Sequence, residues 1–155
     1  MPIAYPTDPD CIFCKIVAGD IPCHKLYEDD LVLAMLDIGP IAPGHTLLIP
    51  KGHYPSLTDV PPDTAAALGR ALPLLGQAVC KATDTDNFNV LQNNGRPAGQ
   101  AVFHVHFHVI PRTADDARTT PPAGSPGTGL PFDWPATELD PDAATTLAER
   151  IRSAL

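Results

Sequence analysis

Residues 101–112 read Ala-Val-Phe-His-Val-His-Phe-His-Val-Ile-Pro-Arg, and no other stretch constrains this chain as tightly. His104, His106 and His108 alternate with Val105, Phe107 and Val109. A strict period of two, with β-branched and aromatic residues between, predicts a strand. Successive side chains on a strand point to opposite faces, so the three imidazoles are expected on one face and the apolar side chains on the other. Half of the six histidines of the protein stand in this row. A strand that only needed a wet face would carry Thr, Lys, Glu or Ser there. Imidazoles in line point to proton transfer, nucleophilic attack or metal binding.

The chain around this row supplies the other elements of a small mixed fold. Asp10 to Gly19 reads as a short helix with a glycine stop. Lys25–Glu28 and Leu31–Leu36 flank Asp29-Asp30 as a hairpin, and His45–Pro50 is a strand whose apolar run predicts burial on both faces. Pro61-Pro62 opens one long helix to about Thr83, with Ala65, Leu68, Leu72, Leu75 and Val79 as its apolar stripe and Pro73 as an expected kink. Asn87–Gln92 is a further strand, and the Gly-rich run from Asn93 to Gln100 feeds into the histidine row. Pro141–Leu155 closes the chain as a helix. About five strands with short turns and one main helix define an α+β domain with an antiparallel sheet. Residues 1–10 are expected as a flexible arm, 11–112 as the domain, and 113–155 as a Pro/Gly-rich segment followed by a helix.

Composition narrows the functional classes. The formal charge is −8 and there is no basic stripe, which argues against nucleic-acid binding. The first ten residues lack the apolar core of an export signal, and no run reaches transmembrane length, so a cytoplasmic location is expected. In that compartment Cys11, Cys14, Cys23 and Cys80 are expected as thiols rather than disulfides. The Cys11-Ile-Phe-Cys14 spacing is half a zinc site, a redox pair or a coincidence.

Strand geometry limits what the row can do. At ~3.3 Å per residue, His104 and His108 are about 13 Å apart, too far for one ion to take all three imidazoles. A metal shared by His104 and His106 stays open, as do solvated bystanders. A division of labour fits better: one imidazole attacks or takes a proton while its neighbours orient it. Gly95 and Gly99 allow close approach of a bound group, and the loop amides with Asn93 and Gln100 form an anion cradle. A histidine beside such a cradle points to attack on phosphorus.

The segment His104-Val-His-Phe-His-Val-Ile110 resembles the His-φ-His-φ-His-φ-φ signature of the histidine triad (HIT) superfamily. Cys-Ile-Phe-Cys-Lys-Ile at 11–16, Tyr27–Asp30, Leu36–Ile38, Gly44–Lys51 with His53, and Asn93 through Gly99-Gln100 match the same pattern in order. The resemblance implies a five-stranded antiparallel half-barrel sheet with one long helix and short terminal helices, dimerising into a continuous sheet. It implies a hydrolase or transferase that cleaves purine nucleoside-monophosphate conjugates, AMP-amidates such as AMP-lysine foremost. Dinucleoside polyphosphate hydrolysis, or nucleotide binding with incidental hydrolysis, is the alternative. The middle imidazole, His106, would attack the α-phosphorus, with His108 and Gln100 assisting. Asp37, Asn93, Gly99, Gln100, His108, Phe13 and Ile38 would hold the nucleotide. In the bacterial zinc-containing, phosphoramidase-like branch, Cys11, Cys14, His53 and His104 would hold a structural zinc. Many relatives have Ser or Thr after the Gly-Gln pair, where this chain has Ala101, so one hydroxyl contact to phosphate is missing.

Overall fold

The structure, a computed structural model, describes residues 4–114 and 136–155. The elements run α1 (Ile12–Ala18), β1 (Lys25–Glu28), β2 (Val32–Leu36), β3 (Thr46–Pro50), α2 (Pro62–Thr83), β4 (Asn87–Gln92), β5 (Phe107–Arg112) and α3 (Pro141–Ala154). The strands form one sheet in the order β1-β2-β3-β5-β4, with every neighbouring pair antiparallel. This is the α+β five-stranded sheet expected from the sequence. The Pro/Gly-rich segment expected after residue 112 lies largely outside the described residues.

The two faces of the sheet are covered unequally. On one face Val32, Ala34, Leu36, Leu48 and Val109 pack against α2 and α3 as the main core. On the other, Leu33, Met35, Leu47 and Ile49 pack under Phe13 of α1. Both β2 and β3 are buried at every position, which explains their unbroken apolar runs. The seven residues of α1 shield only part of that second face, and the rest of it carries the histidines.

Small residues bring α2 close to the sheet. Its buried side chains include Ala67, Leu68, Ala71, Leu75, Ala78, Val79 and Ala82, whereas Ala65 of the expected stripe is exposed and Leu72 only half-buried. The helix continues through Pro73. The ring removes the hydrogen bond to the carbonyl of Gly69, which lies on the exposed side where water can take it.

The histidine strand is shorter than its pattern predicts. Pairing with β3 starts at Phe107, so His104 and His106 precede β5 and only His108 lies within it. The ladder stops for a local reason. Pro50 at the end of β3 has no N–H. Its carbonyl accepts from His104 Nε2 at 2.8 Å. Val105 N–H turns instead to the carbonyl of Tyr54 at 2.7 Å. The alternation of faces survives: Phe107 and Val109 join the α2 core, while His104 and His106 meet Phe13 on the opposite face.

Gly44 sets the turn into β3. Its φ is +89°, and a Cβ there would stand 2.8 Å from Thr83 Cγ2 and 3.2 Å from Pro111 Cγ. Gly69 has nothing within 4 Å of that position. Gly44→Ala should therefore cost about 2 kcal/mol or more, through strain and overlap. Gly69→Ala, in an exposed helical turn, should stabilise by about 0.5–1 kcal/mol. Denaturant titration of the two variants checks this opposite pair of signs.

Candidate active site and metal cluster

His106 is held as a neutral imidazole with a defined tautomer. Its Nδ1–H donates to the carbonyl of His104 at 2.7 Å. That bond leaves the lone pair on Nε2. The side chain is buried, and burial pushes its pKa below the ordinary histidine range; the bond to the carbonyl and the nearby Asp37 charge oppose that shift. The Phe13 ring meets His106 edge-on at 5.3 Å and His104 at 5.7 Å. Phe13 is thus a buried wall behind both imidazoles.

A second chain of hydrogen bonds orients His108. Ile41 N–H donates to His45 Nδ1 at 3.2 Å, so the proton of His45 is on Nε2. That Nε2–H donates to His108 Nδ1 at 2.8 Å, which assigns the proton of His108 to its own Nε2. His106 and His108 lie 5.0 Å apart between ring centroids. A ring with a free lone pair on Nε2 and a ring with a proton on Nε2 are therefore neighbours. Burial pushes His108 down to about 3 and His45 down to about 4, so both stay neutral across the physiological range. Asp37 Oδ2 lies 3.4 Å from His45 Nε2 and 4.0 Å from His108 Nδ1, while its Oδ1 accepts from Gly39 N–H at 2.8 Å. Ile38, next in sequence, is 72% exposed, a bare apolar surface beside the histidines.

The sequence placed His45 only at the start of a strand. Its tie to His108, 63 residues away, has no sequence signal beyond the histidine itself. Asp37, His45 and His108 also cluster as donors that could share an ion. The two rings instead bond each other directly at 2.8 Å. A bond of that length fills the space that an ion would need.

The loop before the histidines is braced from within. Gly95 and Gly99 have φ of +86° and +91°, flanking a short 3₁₀ turn at Arg96–Ala98. Gln100 is buried; its Oε1 accepts from Gly95 N–H at 2.7 Å, and its Nε2 donates to the carbonyls of Pro55 and Val102 at 2.7 and 3.0 Å. Both amide hydrogens are thus engaged by backbone, and Gln100 shapes the loop rather than facing a ligand as a donor. Asn93 Nδ2 reaches the carbonyl of Gly99 at 3.5 Å.

Cys11, Cys14, His53 and His104 converge, all four ligand atoms lying within 4.8 Å of one another. His104 Nδ1 is 3.5 Å from Cys11 Sγ and 3.7 Å from Cys14 Sγ, and His53 Nδ1 is 3.4 Å from Cys14 Sγ. A tetrahedral ion with bonds of about 2.3 Å to sulfur and about 2.05 Å to nitrogen requires S···N separations of about 3.6 Å. The outer nitrogen of His104 is also correctly occupied: its Nε2–H donates to Pro50 O, so its Nδ1 turns its lone pair inward. His53 Nε2 lies 3.7 Å from Asp8 Oδ2. Asp8 N–H reaches Cys14 Sγ at 3.5 Å and the Pro6 carbonyl accepts from His53 N–H at 2.7 Å. These contacts come from the segment expected as an arm, and nothing in its composition announced them. The donor set fits a metal ion. A metal shared by His104 and His106 does not fit, because His104 Nδ1 faces the thiols and His106 Nδ1 faces a carbonyl. Cys23 and Cys80 lie outside the cluster, and Lys51 pairs with Glu28 at 2.9 Å.

Fold and site together define a class: a single antiparallel α+β sheet bearing a row of buried imidazoles beside a Cys₂His₂ cluster. A family model for the HIT domain matches residues 18–115. Adenosine 5'-monophosphoramidase hnt1 of Schizosaccharomyces pombe is 45% identical over 143 residues, which cover 92% of this chain and 96% of that protein. Adenylylsulfatase HINT3 of Arabidopsis thaliana is 53% identical over 107 residues, 69% of this chain, and the match spans 54% of that longer protein. A Zn-bound histidine triad family protein from Mycobacterium smegmatis superposes with a TM-score of 0.75 at 37% identity, over 94% of this chain and 92% of that one. The chain belongs to the HIT family.

The buried imidazoles give stability a pH dependence of known sign. In the unfolded chain they titrate near about 6.5. In the folded chain His45 and His108 resist protonation down to about 4 and about 3. As pH falls, the unfolded state takes up protons first, so their contribution is complete above pH ~6.5 and is lost on the way down toward pH ~4. The Tm should drop over that interval, and His45→Asn should make the drop shallower. Thermal melts from pH 7 to 4.5 read both.

Proposed function

We propose that the protein is a hydrolase that cleaves nucleoside-monophosphate conjugates, with AMP-amidates such as AMP-lysine as the leading substrates, through a nucleotidyl-histidine on His106. The observation that carries this reading is the 2.7 Å bond from His106 Nδ1 to the His104 carbonyl. It leaves Nε2 unprotonated, and burial keeps the ring neutral and nucleophilic near pH 7. His106 Nε2 attacks the α-phosphorus, the P–N bond breaks and the amine leaves, its nitrogen taking a proton from solvent. Water then displaces His106 from phosphorus, giving up a proton to solvent, and AMP is released. His108, with its proton on Nε2, donates to the phosphate oxygens as charge builds up on them. The S. pombe relative, named as an adenosine 5'-monophosphoramidase and matched nearly end to end, supports this substrate class.

The remaining roles are those the resemblance to HIT proteins implies. Asp37 takes the ribose hydroxyls, Ile38 lies against the base, and Asn93 and Gly99 line the phosphate side. Gln100 holds that loop in shape, and Phe13 closes the back of the site. Zinc is the ion that suits two thiolates and two imidazoles in a closed tetrahedral set, and Cys11, Cys14, His53 and His104 would hold it. It supplies a structural cross-link between the N-terminal turn, the segment after β3 and the histidine row. The unit that works is a homodimer in the cytoplasm. Its support is β4, an edge strand that presents exposed Phe88 and Val90; Leu74 of α2 is exposed as well. An apolar edge of this kind is a ready template for pairing with a second chain.

His106→Asn should lower turnover of an AMP-amidate by at least about 10³-fold while AMP binding is retained. Mass spectrometry of wild-type protein caught on a slow substrate should find AMP on the peptide containing His106. Full activity in the variant together with no adduct in the wild type would reject this mechanism. Cys14→Ser should reduce zinc from about one ion per chain to near zero and lower the Tm by more than about 5 °C. Elemental analysis and calorimetry measure the two effects.

A further inference from the structure

The nucleoside side of the site is a loop, residues 37–40, and its shape is set by a segment far away in sequence. Thr137 bonds the carbonyl of Pro40 twice, through its N–H at 2.9 Å and its Oγ1–H at 2.9 Å. Leu139 N–H reaches the carbonyl of Ile38 at 3.3 Å. A Cβ placed on Gly39 would be 3.8 Å from Ala136 Cβ and 4.0 Å from the Thr137 carbonyl, so the two segments are in packing contact along their length. Asp37 belongs to the same unit, because its Oδ1 holds Gly39 N–H.

The bracing segment is itself anchored. Asp140 caps α3 by accepting Ala143 N–H at 2.7 Å, and Ala144, Ala148 and Ile151 of α3 are buried in the main core. Arg152 Nη1 donates to the carbonyl of Lys25 on β1 at 2.7 Å. A rigid helix is therefore preceded by two residues, Thr137 and Leu139, that hold the loop carrying Asp37 and Ile38. The family model stops at residue 115. The match to the S. pombe monophosphoramidase, over 92% of the chain, necessarily takes in residues 136–139.

We propose that Thr137 is a positioning residue for nucleoside recognition: by holding Pro40 it fixes the 37–40 loop so that Asp37 meets the ribose hydroxyls. The assignment rests on the reading of Asp37 as the ribose ligand. Thr137 does not touch the substrate. It acts before chemistry, so its removal raises KM and leaves kcat alone. Leu139 still holds Ile38 when Thr137 is replaced, so the effect passes mainly through Asp37 and a nucleotide without ribose hydroxyls feels it less.

The test compares wild type, Thr137→Val and Thr137→Ser in the full chain. Calorimetry measures binding of AMP and of 2',3'-dideoxy-AMP, and steady-state kinetics use adenosine 5'-phosphoramidate. In Thr137→Val the affinity for AMP should fall about 3- to 10-fold, as expected for one lost hydrogen bond. Affinity for the dideoxy nucleotide should stay within about twofold, kcat should hold, and Thr137→Ser should restore AMP binding. A variant that melts lower but keeps the wild-type ratio of AMP to dideoxy-AMP affinity overturns the proposal and leaves the hydrolase reading intact. A wild type that does not distinguish the two nucleotides removes Asp37 from the ribose and overturns it as well. A wild type that binds AMP with this ribose preference but turns over no amidate, while Thr137→Val loses that preference, supports the role of Thr137 and rejects the hydrolase.

Discussion

One hydrogen bond joins the two halves of this protein's chemistry. His104 turns its imidazole into the thiol cluster and offers its backbone carbonyl to His106 Nδ1. The residue that faces the Cys₂His₂ cluster therefore also decides which nitrogen of the candidate nucleophile is basic. Phe13, flanked by Cys11 and Cys14 on the same short turn, wedges against both rings and ties the cluster and the nucleophile into one packed unit. Movement in the N-terminal turn would be felt at His106 through packing and through the carbonyl alike.

Burial makes the arrangement chemically useful. The chain carries a formal charge of −8, and the imidazoles of its site add no positive charge to attract phosphate, because burial disfavours their protonation. That same desolvation keeps a lone pair available on His106 while His108 offers an uncharged donor. The order of donors from Ile41 through His45 to His108 gives each ring one tautomer. Preorganisation of this kind costs nothing at the moment of reaction, since no dipole has to turn.

The sheet's unequal covering explains where the site can be. The face under α2 and α3 is closed by small residues in tight contact. Among the described residues, the opposite face has α1 over β2 and β3, and His104 and His106 meet Phe13 there. The C-terminal helix packs on the closed face, yet the residues leading into it reach the 37–40 loop on the side of the site. Packing on one face thus stabilises a loop that serves the other.

Much of this was legible in the chain, and for a definite reason. Period two in 101–112 put the imidazoles on one face, and apolar runs in β2 and β3 marked strands buried on both sides. These are local patterns, and local patterns follow from the repeat of the backbone. The resemblance to HIT proteins named the Cys₂His₂ set before the fold brought its four donors together. What the chain did not reveal depends on backbone atoms and distant partners. The histidine strand is cut short because Pro50 cannot donate and its carbonyl is taken by His104. His45 acquires its role only by meeting His108 across the β3–β5 pairing. Gln100 donates to the carbonyls of Pro55 and Val102, Asp8 approaches His53 from a segment with no motif, and Thr137 finds Pro40 at a separation of 97 residues. Peptide groups are the same at every position, so no pattern of side chains predicts which carbonyl a distant donor will meet. The kinds of groups available were decided by sequence; which atom of each faces its partner was decided by the way the chain folds on itself.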